Sequence, residues 1–284
     1  METKKTIIYK PNMRSQTGFF RTWWIMIRNI TESRELIYQL FRRDFLMTYK
    51  KSFIGLGWLV IAPLMGIISW VFMNLTGVLN PGDVGIPYPA YVLLSSTVWG
   101  LFMGFFNSAS GTLDAASGFI LQVKFPHDVL LIKQTLQQLV NFTITFLITL
   151  IVLLLFGVVP HWKIVFFPLL VLPLFFLGSA IGLVVSVISV VAVDMKRGFG
   201  FVMSLLMYVT PVIYSSRIEN PTLQAIIKWN PLTYLVGGVR DMIIFGTLEH
   251  FDRFIYSAII SFFSFLLAWR LFFVSEDKVI EKMI

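Results

Sequence analysis

Cysteine is absent from this chain, which removes disulfides, thiolate chemistry and cysteine-based metal sites at once. Charge is scarce as well. Only 13% of the residues are Asp, Glu, Lys or Arg, against about 25% in ordinary soluble domains. The 15 acidic residues are outnumbered by 23 basic ones, and none of the acids falls in the middle of an apolar run. An ion-driven carrier needs ionisable groups inside its spans, where they are costly to keep, so ion coupling has little to work with. Asp114, Asp128 and Asp194 sit at the edges of runs, where water and headgroups would solvate them, and Lys133 can snorkel to the same surface. No G-x-x-x-x-G-K-[ST] loop is present, so nothing here would cradle a triphosphate. The GFGF run at 198–201 lacks that pattern. His127, His161 and His250 are scattered, and Glu276 and Asp277 read as part of a solvated tail. These gaps leave no catalytic residue to nominate, and neither a cofactor nor a metal is expected on the chain. Uphill transport would therefore draw its energy from a partner.

What is abundant is apolar sequence. Hydrophobic residues make up 57% of the 284, and several runs reach the roughly 20 residues a helix needs to cross a bilayer core. A single soluble core in a chain of this length could not bury them all. The expected fold class is an all-α polytopic membrane protein with six transmembrane helices, near 53–76, 89–111, 134–158, 164–192, 198–214 and 254–274. An N-terminal arm (1–52), the transmembrane domain (53–274) and a tail (275–284) follow from those limits. The arm lacks the short apolar core and cleavage site of a removable signal peptide.

The net charge of +8 does not point to nucleic acid, because 11 of the 23 Lys and Arg residues fall before residue 52. Basic flanks stay on the cytoplasmic side against anionic headgroups. Both termini are accordingly expected in the cytoplasm.

Within the arm, GFFRTWWIMIRNI pairs aromatic bulk with Arg21 and Arg28, which suits a helix lying in the interface. SRELIYQLFRRDFLMTYKKS follows, with Ile37, Leu40, Phe41 and Phe45 at helical spacing, and leads directly into the first span. Before the last span, 215–253 holds two apolar pieces too short to cross, punctuated by Pro231 and Gly237–Gly238. It reads as a re-entrant hairpin on the outer side or as an amphipathic surface loop. The pairs Gly100–Gly104 and Gly178–Gly182 have the small-xxx-small spacing of close helix packing. Between the second and third spans, about 112–133, TLDAASGFILQVKFPHDVLLIK allows a short helix that Pro126 would end. Its periodicity fits a helix lying on lipid and one docked in a partner's groove equally well.

Four motifs in order resemble the membrane subunits of ABC exporters for polysaccharides and lipid-linked glycans, the O-antigen, teichoic acid and capsule type. They are TYKKSFIGLGWLVIAPL (48–64), VKFPHDVLLIKQTLQQLVNF (123–142), VAVDMKRGFGFVMSLLMYVTPVIYSS (191–216) and WNPLTYLVGGVRDMIIFG (229–246). The resemblance implies a multi-pass permease of the bacterial inner membrane, working as two copies with two copies of a separate cytoplasmic ATPase that holds ATP and Mg. The cargo it implies is a lipid-linked glycan, O-antigen before teichoic acid or capsule. It implies a coupling helix between the second and third spans, with Ser117, Phe119, Gln122, Lys124, Phe125 and Pro126 as contacts, and a gate helix at 33–52 carrying Arg42, Arg43, Tyr49 and Lys50. Aromatic candidates for the translocation path are Trp99, Phe102, Phe105, Phe106, Tyr208 and Tyr214. Arg240 and Asp241 would either meet a polar or pyrophosphate group at the outer mouth or pair with each other. Competing expectations are an exporter of a drug or simple lipid, an ion-coupled flippase, which would place charges deep in its spans, and a glycosyltransferase or polymerase acting on polyprenyl-linked sugars. The last would show clustered carboxylates or a large catalytic loop.

Overall fold

The computed structural model describes residues 17–50, 54–113, 128–216 and 220–283, and among them only helices and connecting turns occur. Two helices come first among the described residues, α1 (Phe19–Glu32) and α2 (Arg34–Lys50). The bundle then comprises α3 (Trp58–Leu75), α4 (Tyr88–Ser110), α5 (Asp128–Leu155), α6 (Phe167–Ser189) and α7 (Val193–Val209). Two short helices, α8 (Pro221–Trp229) and α9 (Pro231–Phe245), precede the long α10 (Phe251–Met283). Four segments are long and apolar enough to cross a membrane: Tyr88–Ser110, Asp128–Leu155, Trp162–Ser189 and Phe251–Ser275. The chain is a multi-pass membrane protein.

α3 and α7 fall short of that criterion. With 18 and 17 residues they span about 26 Å at 1.5 Å per residue, and α7 opens on Asp194, Lys196 and Arg197. α7 also stops earlier than the sequence suggests. Val209 is its last residue rather than 214, because Pro211 removes a donor and the carbonyls beyond it bond elsewhere. At the other extreme, α10 runs unbroken past 274 to Met283, so the tail continues the last span's helix.

The core forms where α6 lies between α4 and α10. Gly178 and Gly182 make that approach possible. A Cβ at Gly182 would stand 2.5 Å from the Phe106 carbonyl oxygen, and one at Gly178 2.9 Å from that of Phe102. The sequence spacing therefore marks a true backbone contact here. Gly100 has open space beside it, and a Cβ at Gly104 would fall only on the Gln138 side chain. The second pair lies on a different face of α4.

The chain ends sort cleanly. One end of the bundle gathers α1, α2, the C-termini of α4 and α6, the start of α5 and residues 266–270 of α10. The opposite end gathers the start of α4, the end of α7, α8, α9 and the start of α10.

Candidate functional site

At the first end, α1 and α2 are docked on the bundle. Thr22 and Met26 on α1 are fully buried. The Trp23 indole donates to the Leu266 carbonyl at 3.2 Å, and the Arg270 guanidinium lies 4.7 Å above the Phe19 ring. Phe20, Trp24 and Ile27 remain exposed on the other face of α1. α2 packs along the start of α5.

Two charges there depart from the sequence reading. Lys133 does not snorkel to the surface. It is buried, and its ammonium reaches the Asp44 carboxylate of α2 at 2.7 Å. Asp128 is likewise buried rather than bathed in water, and it accepts a hydrogen bond from the Trp269 indole at 3.1 Å. The physical reason is the same for both: α2 and α10 cover the first turn of α5, so desolvated charges need partners within the protein. Asp44 also accepts from Arg43 at 2.8 Å. Burial pushes the Asp44 carboxyl up, but hydrogen bonds and charge from Lys133 and Arg43 hold it below its ordinary range. Sequence reasoning named Arg43 as a gate residue, read Lys133 only as snorkelling and gave Asp44 no role. The available signal was a lone acid inside RRDF and a lone lysine in the first turns of an apolar helix.

Of the gate candidates, Arg42 is exposed and Arg43 pairs with Asp44. Tyr49 and Lys50 close α2, and nothing is described of their side chains. Ser117, Phe119, Gln122, Lys124, Phe125 and Pro126 lie outside the described residues.

The aromatic path candidates on α4 sit in the core of the chain. Phe102, Phe105 and Phe106 are fully buried toward α6, and Trp99 packs 5.3 Å from Phe102. The opposite face of α4 carries Ser96, Gly100, Met103, Gly104, Asn107 and Ser108, all at least partly uncovered. Gln138 and Asn141 of α5, also partly uncovered, continue the polar character.

At the second end the structure builds a network around Arg240. Two Asn-Pro steps set it up. Asn220 caps α8 by accepting from Thr222 N–H at 3.0 Å, and Asn230 caps α9 by accepting from Leu232 N–H at 3.0 Å, each with Pro at the first helical position. The Asn230 amide also donates to Thr210 Oγ1 at 2.9 Å, fastening α9 to the end of α7. Arg240 Nη1 donates to Tyr91 Oη at 2.6 Å and to the Pro211 carbonyl at 3.1 Å, while Nε donates to Asp241 Oδ1 at 3.0 Å. The guanidinium carbon stands 4.6 Å from the centre of the Tyr91 ring. Tyr91 Oη donates on to the Tyr214 carbonyl at 2.7 Å, and Tyr88 Oη to that of Ile213 at 3.0 Å. The strap 210–216 is thus held by side chains of α4 and α9. Tyr214 donates its hydroxyl to Tyr208 O at 2.8 Å, and Tyr208 itself is exposed. Burial raises the Asp241 carboxyl above its ordinary range, against the pull of the adjacent Arg240.

Among the described residues no group of His, Cys, Asp and Glu could hold a metal ion. The described residues offer paired charges at helix junctions and a polar face along α4.

Residues 35–244 match the ABC-2 type transporter family. The chain belongs to that family. It is also similar to the O-antigen export system permease protein RfbA of Myxococcus xanthus, 25% identical over 216 residues, which cover 74% of this chain and 81% of that protein. Two proteins of the same description from Klebsiella pneumoniae are 22% and 21% identical, each over 76% of this chain and 83% of the relative. The family match brackets both features described above, since α2 opens it and α9 closes it.

Proposed function

We infer that this ABC-2 family chain is the membrane subunit of an exporter that moves a lipid-linked polysaccharide of the O-antigen kind across the inner membrane. The observation that carries the reading is the extent of the likeness to O-antigen permeases, which covers 74–76% of the chain rather than resting on one motif. The geometry fits it. Charged groups are paired at the two ends, and α4 presents a small, polar face along the middle of the bundle. Polar groups facing hydrocarbon are costly, so that face is assigned to the translocation path and to a second copy of the chain across it.

On this reading α3, α4, α5, α6, α7 and α10 make six passes in alternating sense. The end that bears α1 and α2 faces the cytoplasm, and α8–α9 form the re-entrant pair on the outer side. The exposed aromatic face of α1 rests on the lipid surface. Two copies of a cytoplasmic ATPase, carrying ATP and Mg, dock on α2 and on the 112–133 connection. Closure of that ATPase moves α2, and the Asp44–Lys133 pair passes the movement to α5.

The test is to purify the chain with the ATPase encoded beside it and to measure ATP hydrolysis with and without lipid-linked glycan. Co-purification and glycan-stimulated hydrolysis are expected. Failure of any ATPase to co-purify would sink the reading, and stimulation by simple phospholipid alone would turn it toward a lipid exporter.

A further inference from the structure

The Arg240 network does more than hold the strap, because it forms the ridge of an open cleft. One lobe of about 470 Å³ lies toward α8 and the start of α10, and a second of about 420 Å³ lies toward Gly85 and Phe245. The lobes meet at Arg240, Asp241 and Glu249, which line both. Each volume falls within the ~300–1,000 Å³ typical of ligand sites. A saddle between two lobes suits a chain of linked units better than a single compact molecule.

Polar atoms on that surface have capacity to spare. Arg240 uses Nε and one terminal nitrogen within the protein, while Nη2 makes no hydrogen bond to a described residue. Asp241 accepts through Oδ1, and Oδ2 accepts from no described residue. Thr233 lines the larger lobe, is 93% buried on the 7% exposure of its surface, and its Oγ1 has no partner among the described residues. A buried hydroxyl left unpaired costs roughly 1–3 kcal/mol, and this one, shielded from solvent at the wall of the lobe, gains a partner when its side chain turns toward a ligand or ordered water there. Tyr234 adds an aromatic wall. Its hydroxyl donates to the Lys228 carbonyl at 2.8 Å, and its ring meets His250 edge to face at 5.8 Å, so the ring is held in place. Gly237 keeps the floor low, because a Cβ there would project to within 3.7 Å of Arg240 Nη2.

The mix of groups selects among ligands. Arg240 and Lys228 attract anions, but Asp241, paired with Arg240 at 3.0 Å, lines the same lobe and weakens that field. A phosphate therefore gains little. A vicinal diol matches better, with one hydroxyl accepting from Nη2 and its neighbour donating to Oδ2, and the C–H face of a sugar ring against Tyr234. We propose that this double-lobed cleft binds a short run of sugar units, with Arg240 and Asp241 clasping neighbouring hydroxyls on the saddle and Thr233 and Tyr234 seating the next unit. Given the export reading, on which this assignment rests, the cleft lies on the outer side. It would hold glycan that has already crossed and so oppose its return.

The test uses the complete complex with its ATPase in lipid nanodiscs. The probe is oligosaccharide released by mild acid from the surface polysaccharide of the producing cells, with maltohexaose and inorganic pyrophosphate as comparisons. Binding is read by saturation-transfer NMR and titration. Thr233→Val removes the unpaired hydroxyl at constant shape, so the protein should melt at the same temperature or slightly higher while oligosaccharide binds about three- to tenfold more weakly. Gly237→Leu, which fills the larger lobe, should abolish binding. Pyrophosphate should not compete. Binding unchanged in both variants, no binding to the parent, or displacement by pyrophosphate would each overturn the cleft as a sugar site. Glycan export assayed in everted vesicles separates the two claims. Export without binding removes only the cleft, whereas absence of export in the parent removes the exporter reading itself.

Discussion

At one end of the bundle α2 is tied to α5 by an ion pair between two side chains, Asp44 and Lys133. At the other, the strap 210–216 is held by tyrosine and arginine donors on main-chain carbonyls. The first arrangement joins two side chains, on a helix that packs chiefly along α5. Such a contact can break and re-form as α2 shifts. The second fixes backbone from two helices at once, so α4, α9 and the strap should move as one body. The comparison predicts that movement enters at α2 and that the Arg240 end acts as a rigid frame.

Removing Arg240 should have the largest effect. Arg240→Ala leaves the Asp241 carboxylate without its donor in a buried site and the Pro211 carbonyl with only the longer bond from Tyr91 Oη at 3.3 Å, which costs about 3–5 kcal/mol for a broken buried pair. The complex should lose most of its thermal stability. Arg240→Lys should not restore it, because one ammonium cannot replace a fork that bonds Tyr91, Pro211 and Asp241 together. A melting temperature of Arg240→Ala equal to the parent's would show that the frame is held by other contacts.

Lys133→Ala comes next. Asp44 is 29% exposed against 7% for Lys133, so the loss should fall between the ~1 kcal/mol of a surface pair and the ~3–5 kcal/mol of a buried one. ATP hydrolysis should continue while glycan export falls, because the link from α2 to α5 is cut. The exchange Asp44→Lys with Lys133→Asp should recover part of both. If export survives Lys133→Ala undiminished, the pair is only structural. The same pair carries a pH signature. The Asp44 carboxyl titrates lower in the folded protein than its ordinary 3.8. Its contribution is therefore fully present above that value and is lost as pH falls through the lowered one. The acid limb of a stability profile should flatten in Lys133→Ala relative to the parent.

How far these features could be read beforehand depended on scale. Helix periodicity and Pro and Gly punctuation placed α4 and α6 within a few residues, since long apolar runs leave one solution in a bilayer. Pro231 likewise marked the start of α9, but Gly237–Gly238, read as a second interruption, lies inside that helix, which runs unbroken to Phe245 because two glycines weaken a helix without ending it. Pairing was harder. Arg240 and Asp241 are neighbours, so their mutual bond was one of two readings. Asp44 and Lys133 are 89 positions apart, and no local pattern joins them. Facing was hardest of all. An aromatic run such as Trp99, Phe102, Phe105 and Phe106 serves a core and a channel equally well, and only the approach permitted by Gly178 and Gly182 turns it toward α6.

That facing argument also supplies the gentlest probe of the region between the two ends. A chain without cysteine needs no background removed before single thiols are introduced. Gly100 has nothing within 4 Å of a built Cβ, and Asn107 is exposed on the same face, so Gly100→Cys and Asn107→Cys should change stability by no more than about 0.5 kcal/mol. Leu147, 55% exposed on α5, serves as the lipid-facing comparison. A charged, membrane-impermeant thiosulfonate reacts with thiolate, which forms in water and not in hydrocarbon. Labelling should therefore be fast at positions 100 and 107, slow at Leu147→Cys, and altered at the first two when nucleotide is bound by the ATPase. Equal reactivity at all three positions would mean that the polar face of α4 meets lipid, and the path would have to be sought on another helix.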